Sequence, residues 1–134
     1  MKTQEFIQLI ASGKGRILTP TNVNEIVGKT IYWMYFGYYQ NEDVVEKSTI
    51  KAVMSEFEYY QGVEDPTGKC KTVAERWEQE LTAQKIQELK DTLILVDENG
   101  KNTYIKYNSY TAWGNYFHCS DIDREVYFIL EDEL

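Results

Sequence analysis

Apolar positions along the chain change period several times, and each change marks an element. In "TQEFIQLIA", Phe6, Leu9 and Ile10 recur at helical spacing, which predicts a short amphipathic helix over 3–12 with Thr3 as N-cap and Gly13 as its stop. The next stretch, "GKGRILTPTNVNEIVGK", reads as a connector in which Pro20 interrupts, Thr21 can cap one turn through Ile26, and Gly28 ends that turn. From Lys29 to Gln40 the residues are β-branched and aromatic, as strands prefer. Alternation puts Ile31, Trp33, Tyr35 and Tyr39 in one row and Tyr32, Met34, Phe36 and Tyr38 in the other, with Gly37 bending the first. Neither row is polar, so the strand is expected to be covered on both faces or to leave one face adhesive.

Beyond the polar turn "NEDVVEKS", the run "TIKAVMSEFEYYQG" reads as a returning strand, although Ile50, Val53, Met54, Phe57 and Tyr60 also satisfy a helical period. "VEDPTGKCK" is a loop, and Thr72 with Glu75 has capping-box form at the head of a helix over 72–90. That helix advances in fours through Val73, Trp77 and Leu81, then by five to Ile86, so a kink or a second helix from Thr82 is expected. In "DTLILVDENGKNTYIKYN", Asn99-Gly100 suits a two-residue type I′ turn, placing Glu98 opposite Lys101, Val96 opposite Thr103 and Ile94 opposite Ile105. "EVYFIL" supplies a last strand.

These elements predict one α+β domain over 1–134, with a curved, mainly antiparallel sheet of four to six strands in two hairpins and two or three helices. Its parts are an N-terminal helix and connector (1–28), an aromatic hairpin (29–61), a helix (72–90) and C-terminal strands (92–130). A chain of this length removes roughly two-thirds of its unfolded surface from water, so an ordinary core needs no metal or disulfide staple.

Charge narrows the partners. Acidic residues outnumber basic ones 22 to 14, for a net charge of −8, which disfavours phosphate backbones and anionic membranes and suits a basic protein partner. No run approaches the roughly 20 apolar residues of a membrane span, and the N-terminus lacks the apolar core of an export signal. On that reading Cys70 and Cys119 are free thiols in a reducing cytoplasm, and the final "EDEL" is an acidic, frayed end.

Candidate chemistry is sparse. "GKT" at 28–30 ends like a phosphate loop, but Val23 stands where the pattern needs Gly, and a strand follows instead of a helix. "DENGKN" lacks the ligand order of a calcium loop. "FHCSDIDRE" is the one dense stretch, with His118, Asp121 and Asp123 as a candidate metal or polar site. Strand neighbours point apart, however, so His118 is badly placed to activate Cys119. A strand end followed by a turn capped by Ser120 accounts for the same residues. Glu56 and Glu58 share a face if their segment is a strand, which would make them a candidate carboxylate pair.

The compositional oddity is tyrosine, 11 against 5 Phe and 3 Trp. Tyr serves at a core rim or at an interface, because one end of the ring is apolar and the other wants water or a partner. The residues expected to contact a partner are Tyr32, Tyr38, Tyr39, Tyr60 and Trp113, with Tyr104, Tyr107, Tyr110 and Tyr116 extending the patch. The sequence therefore points to a small soluble cytoplasmic binding or regulatory protein, without a cofactor, whose Tyr-rich acidic surface meets a basic protein or a second copy. The competing reading is a small carboxylate-dependent enzyme or ligand-binding domain with its site near 118–123.

Overall fold

The computed structural model describes residues 1–35, 45–109, 115–119 and 124–134. Helix α1 (Thr3–Ala11) stops where its glycine dictates: Gly13, at φ +88°, donates to the Ile10 carbonyl, and Lys14 donates to that of Leu9, each at 3.0 Å. Thr3 lies inside the helix rather than at its cap, which is Lys2. In the connector, Thr19 and Asn22 brace each other through reciprocal side-chain bonds and set a 3₁₀ turn at Val23–Glu25, the work expected of Thr21.

Among the described residues the chain forms seven strands and four α-helices, more than the four to six strands and two or three helices expected. The strands are β1 (Arg16–Ile17), β2 (Thr30–Tyr35), β3 (Glu46–Ser55), β4 (Leu93–Asp97), β5 (Asn102–Tyr107), β6 (His118–Cys119) and β7 (Val126–Leu130). They make one antiparallel sheet in the order β1-β7-β2-β3-β4-β5-β6. The sheet rolls until its ends meet. Leu18 N–H donates to Val126 C=O at 2.8 Å, Phe117 N–H to Leu18 C=O at 2.8 Å, and Val126 N–H to Phe117 C=O at 3.2 Å, while His118 bridges Glu125. The result is a barrel in which neither end strand is left as an open edge.

Alternation along the strands fills that barrel. Ile31 and Trp33 of β2 and Val126, Phe128 and Leu130 of β7 join Phe117 in the interior cluster. The opposite rows of the same strands, Met34 and Ile129, are covered from outside by Phe6 of α1. The described half of the aromatic strand is thus covered on both faces, and over Ile31–Trp33 it is bonded to β3 on one side and to β7 on the other.

The segment read as a returning strand is a strand only to Ser55. There its hydroxyl accepts the Glu58 N–H at 3.0 Å and starts helix α2 (Glu56–Tyr60), which explains why both periodicities fitted. Helices α3 (Val73–Glu80) and α4 (Ala83–Asp91) are separate, each capped by a threonine, Thr72 and Thr82. The step of five in the apolar stripe marks that break.

The β4–β5 turn also departs from expectation. Gly100 has φ +76° but Asn99 does not have positive φ, so the turn is not type I′. Asp97 decides this: its carboxylate accepts the N–H groups of Asn99 (2.8 Å) and Lys101 (3.0 Å), and its carbonyl accepts that of Gly100 (3.0 Å). The outcome is a three-residue loop with glycine in the left-handed position. The register shifts accordingly, with Val96 opposite Asn102 and Ile94 opposite Lys106 instead of Thr103 and Ile105. The terminal acids are not frayed either. Glu131, Asp132 and Glu133 form a 3₁₀ turn paired with Lys47, Lys29 and Arg16.

Candidate functional site: a tyrosine cleft

Beside α2, the register shift between β4 and β5 creates a bulge. On β5 the three residues Thr103, Tyr104 and Ile105 occupy the space facing Leu95 alone. Side chains of the bulge replace the lost ladder bonds. Thr103 Oγ1 donates to the Leu95 carbonyl at 3.0 Å, and Asn102 Oδ1 accepts the Tyr104 N–H at 2.8 Å. Tyr104 is left at φ 65° with 63% of its surface exposed. A tyrosine in this region crowds its Cβ against its own backbone.

One asparagine organises the cleft. Besides holding Tyr104, Asn102 donates its backbone N–H to the Tyr59 hydroxyl at 3.1 Å, and it lines the cleft beside Tyr60. Burial pushes the Tyr60 phenol up, and the nearby Glu56 carboxylate pushes the same way, for a net rise. The Tyr60 ring packs edge-on with Tyr59 at 5.0 Å and at a tilt with Trp77 of α3 at 4.8 Å between centroids. Beside these rings lie depressions of about 370, 320 and 160 Å³ that share lining residues. Their charged lining is Lys51, Lys101 and Lys106 against Glu56 and Glu58, close to balance on an acidic protein.

Because Tyr104 stores backbone strain while burying little of its ring, Tyr104→Gly is expected to raise unfolding stability by about 1 kcal/mol, measured by urea titration.

Of the residues the sequence singled out, Tyr60 belongs to this cleft. Tyr32 does not: it is half-buried, packs on the α1 cluster, and has the Lys47 ammonium 5.5 Å above its ring. Tyr38, Tyr39, Trp113, Asp121 and Asp123 lie outside the described residues, as do Ser120 and Tyr110. His118 is 1% exposed, held in β6 opposite Lys106. Among the described residues no three His, Cys, Asp or Glu side chains come together as a metal site. Glu56 and Glu58, expected on one strand face, sit instead on a helix, Glu56 half-buried and Glu58 exposed. Neither thiol is activated. Cys70 is pushed up by burial and by the Asp65, Glu75 and Glu80 carboxylates, and Cys119 by burial and Glu46.

Tyr59, Asn102 and the leading part taken by Tyr104 escaped the sequence reading. A strand through 60 would send Tyr59 and Tyr60 to opposite faces, whereas the helix brings both to one cleft. The legible signal was Asn102-Thr103, two side chains able to bond to nearby backbone inside a strand-like run. Comparison with known proteins gives no matching family model, no matching curated protein and no matching solved structure.

Proposed function

We propose that this is a soluble cytoplasmic binding protein that receives a protein partner on the tyrosine cleft. The observation that carries the reading is the tie between Asn102 and two tyrosines, Tyr59 and Tyr104, which holds an exposed ring in a strained backbone conformation beside the packed rings of Tyr59 and Tyr60. Rigid tyrosines lose little conformational entropy on contact, and rings already in place are the commonest source of interface binding energy. Strain of this kind concentrates where a site is built. The acidic excess lies outside the cleft and supports the reading by speeding encounter with a basic partner. No described helix is long and apolar enough to cross a membrane, and both cysteines are free, which suits the cytoplasm.

The test is affinity capture from a native lysate with wild-type, Tyr104→Ala and Tyr32→Ala proteins as paired baits. Tyr104→Ala is expected to reduce recovery of the specific partner about tenfold or more, and Tyr32→Ala to leave it unchanged. Equal recovery with Tyr104→Ala would refute the cleft as the binding face.

A further inference from the structure

We infer that Asn99 is a latent deamidation site, kept unreactive by the hydrogen bonds of the β4–β5 turn and released when that turn opens. This holds whatever the cleft binds. Asn99-Gly100 is the one Asn-Gly pair in the chain, and both residues are exposed. Glycine carries no Cβ to obstruct the asparagine side chain, and the space a Cβ would take at Gly100 is open. In the reaction the Gly100 nitrogen attacks the Asn99 side-chain carbonyl carbon, gives its proton to solvent and expels ammonia, closing a succinimide ring. Water then adds at one ring carbonyl or the other. The product is aspartate or isoaspartate, in which the main chain runs through the former side chain.

The turn withholds the nitrogen this reaction needs. Every main-chain N–H from Asp97 to Asn102 is engaged by the protein. Asp97 donates to the Lys101 carbonyl and Glu98 to that of Thr49, each at 2.9 Å, and Gly100 donates to the Asp97 carbonyl at 3.0 Å. Asn99 and Lys101 donate to Asp97 Oδ1 at 2.8 and 3.0 Å, and Asn102 donates to the Tyr59 hydroxyl at 3.1 Å. An exposed turn can leave such groups to water, so this unbroken series is a restraint beyond what exposure demands. Gly100 is the decisive member. Its nitrogen must lose the proton that the Asp97 carbonyl holds, and must swing toward the Asn99 side chain while Asp97 Oδ1 pins the N–H groups on either side. The Asp97 carboxylate also opposes the negative charge that builds on the attacking nitrogen. Reaction therefore waits for local opening, and the bonds to Asp97 set how often the turn opens.

Conversion is felt beyond the turn. Either product sets a second carboxylate on the residue whose N–H Asp97 holds, and like charges at that range repel. Isoaspartate also adds a methylene to the main chain between the donors that converge on Asp97. The same turn fixes the β4–β5 register, and with it the bulge in which Asn102 holds the Tyr104 N–H. Gly100 and Lys101 line the depressions beside those residues. Deamidation at Asn99 is thus a one-way chemical change that loosens the cleft without altering any of its tyrosines.

Peptide mapping by mass spectrometry follows the exchange of ammonia for water at residue 99 in the full chain, native and urea-unfolded, at neutral pH. The native protein is expected to react at least about tenfold more slowly than the unfolded one, since opening must break several hydrogen bonds at once. Asp97→Ala, shown to be folded by circular dichroism, should react about tenfold or more faster than native wild type through loss of two charge-assisted bonds. Asp97→Asn, which keeps an accepting oxygen, should fall between them, and Glu98→Ala should match wild type. In aged wild type, hydrogen exchange at the Asn102 and Tyr104 N–H groups should be faster than in fresh protein. Equal rates in native and unfolded wild type, or a wild-type rate in folded Asp97→Ala, overturns the inference. If Asp97→Ala does not fold, Asp97→Asn takes its place, and a wild-type rate there is equally fatal. Unchanged exchange in the aged protein overturns the link from the turn to the cleft.

Discussion

Phe117→Ala is expected to cost the fold about 3–5 kcal/mol, among the largest losses a single truncation produces. Phe117 is fully buried, belongs to the interior cluster, and packs on Tyr107 with ring centroids 5.6 Å apart. Its position matters as much as its burial, because its backbone donates to Leu18 and accepts from Val126 where the two ends of the sheet join. Removing the ring leaves a void beside that seam, where the hydrogen bonds of closure lose the packing that shields them from water. A conservative Phe117→Leu, which keeps most of the volume, should cost less than about 1.5 kcal/mol. Urea titration of both variants checks the pair. A loss below about 1 kcal/mol for the alanine variant would mean the seam is not packed as described.

That seam also shows where sequence reading stops. Three of the described helices announced themselves through local chemistry, α2 excepted: Gly13 ended α1, Thr72 and Thr82 capped α3 and α4, and the five-residue step separated the last two. The described part of the aromatic strand, Thr30–Tyr35, was legible from alternation, and its two covered rows follow from a helix lying over one side. Barrel closure left no such trace. Strands β1 and β6 are two residues each, too short for any period, and they are defined by bonds between residues near 17, 118 and 126 that only the folded chain brings together. The β4–β5 turn failed for a subtler reason. Asn-Gly favours type I′ in isolation, but the Asp97 carboxylate competes for the same N–H groups and wins. From that choice come the altered register, the bulge and the exposed Tyr104, so the candidate site depended on one aspartate outside it.

Asp65→Asn should lower the thermal midpoint by roughly 10 °C at neutral pH and remove part of the protein's acid sensitivity. Burial alone would push the Asp65 carboxyl up. Donation from the Thr67 N–H and hydroxyl, the Cys70 N–H and Arg76 outweighs this and holds it at about 2, below its ordinary 3.8. The unfolded chain therefore binds the extra proton first as pH falls. The stabilisation is fully present above about pH 4 and is lost as pH drops through about 2. The midpoint difference between wild type and Asp65→Asn should thus be constant from neutrality to mild acid, then shrink between pH 4 and 2; a difference still undiminished at pH 2 would contradict the assignment. The effect reaches the cleft. Asp65 grips Arg76 at 3.0 Å, and the next residue, Trp77, backs the Tyr60 ring, while Val73 N–H, donating to Val63 C=O at 3.0 Å, ties the start of α3 to a cleft-lining residue. Loosening the Asp65 loop should free α3, and Asp65→Asn should consequently weaken partner capture at a temperature where the barrel itself remains folded.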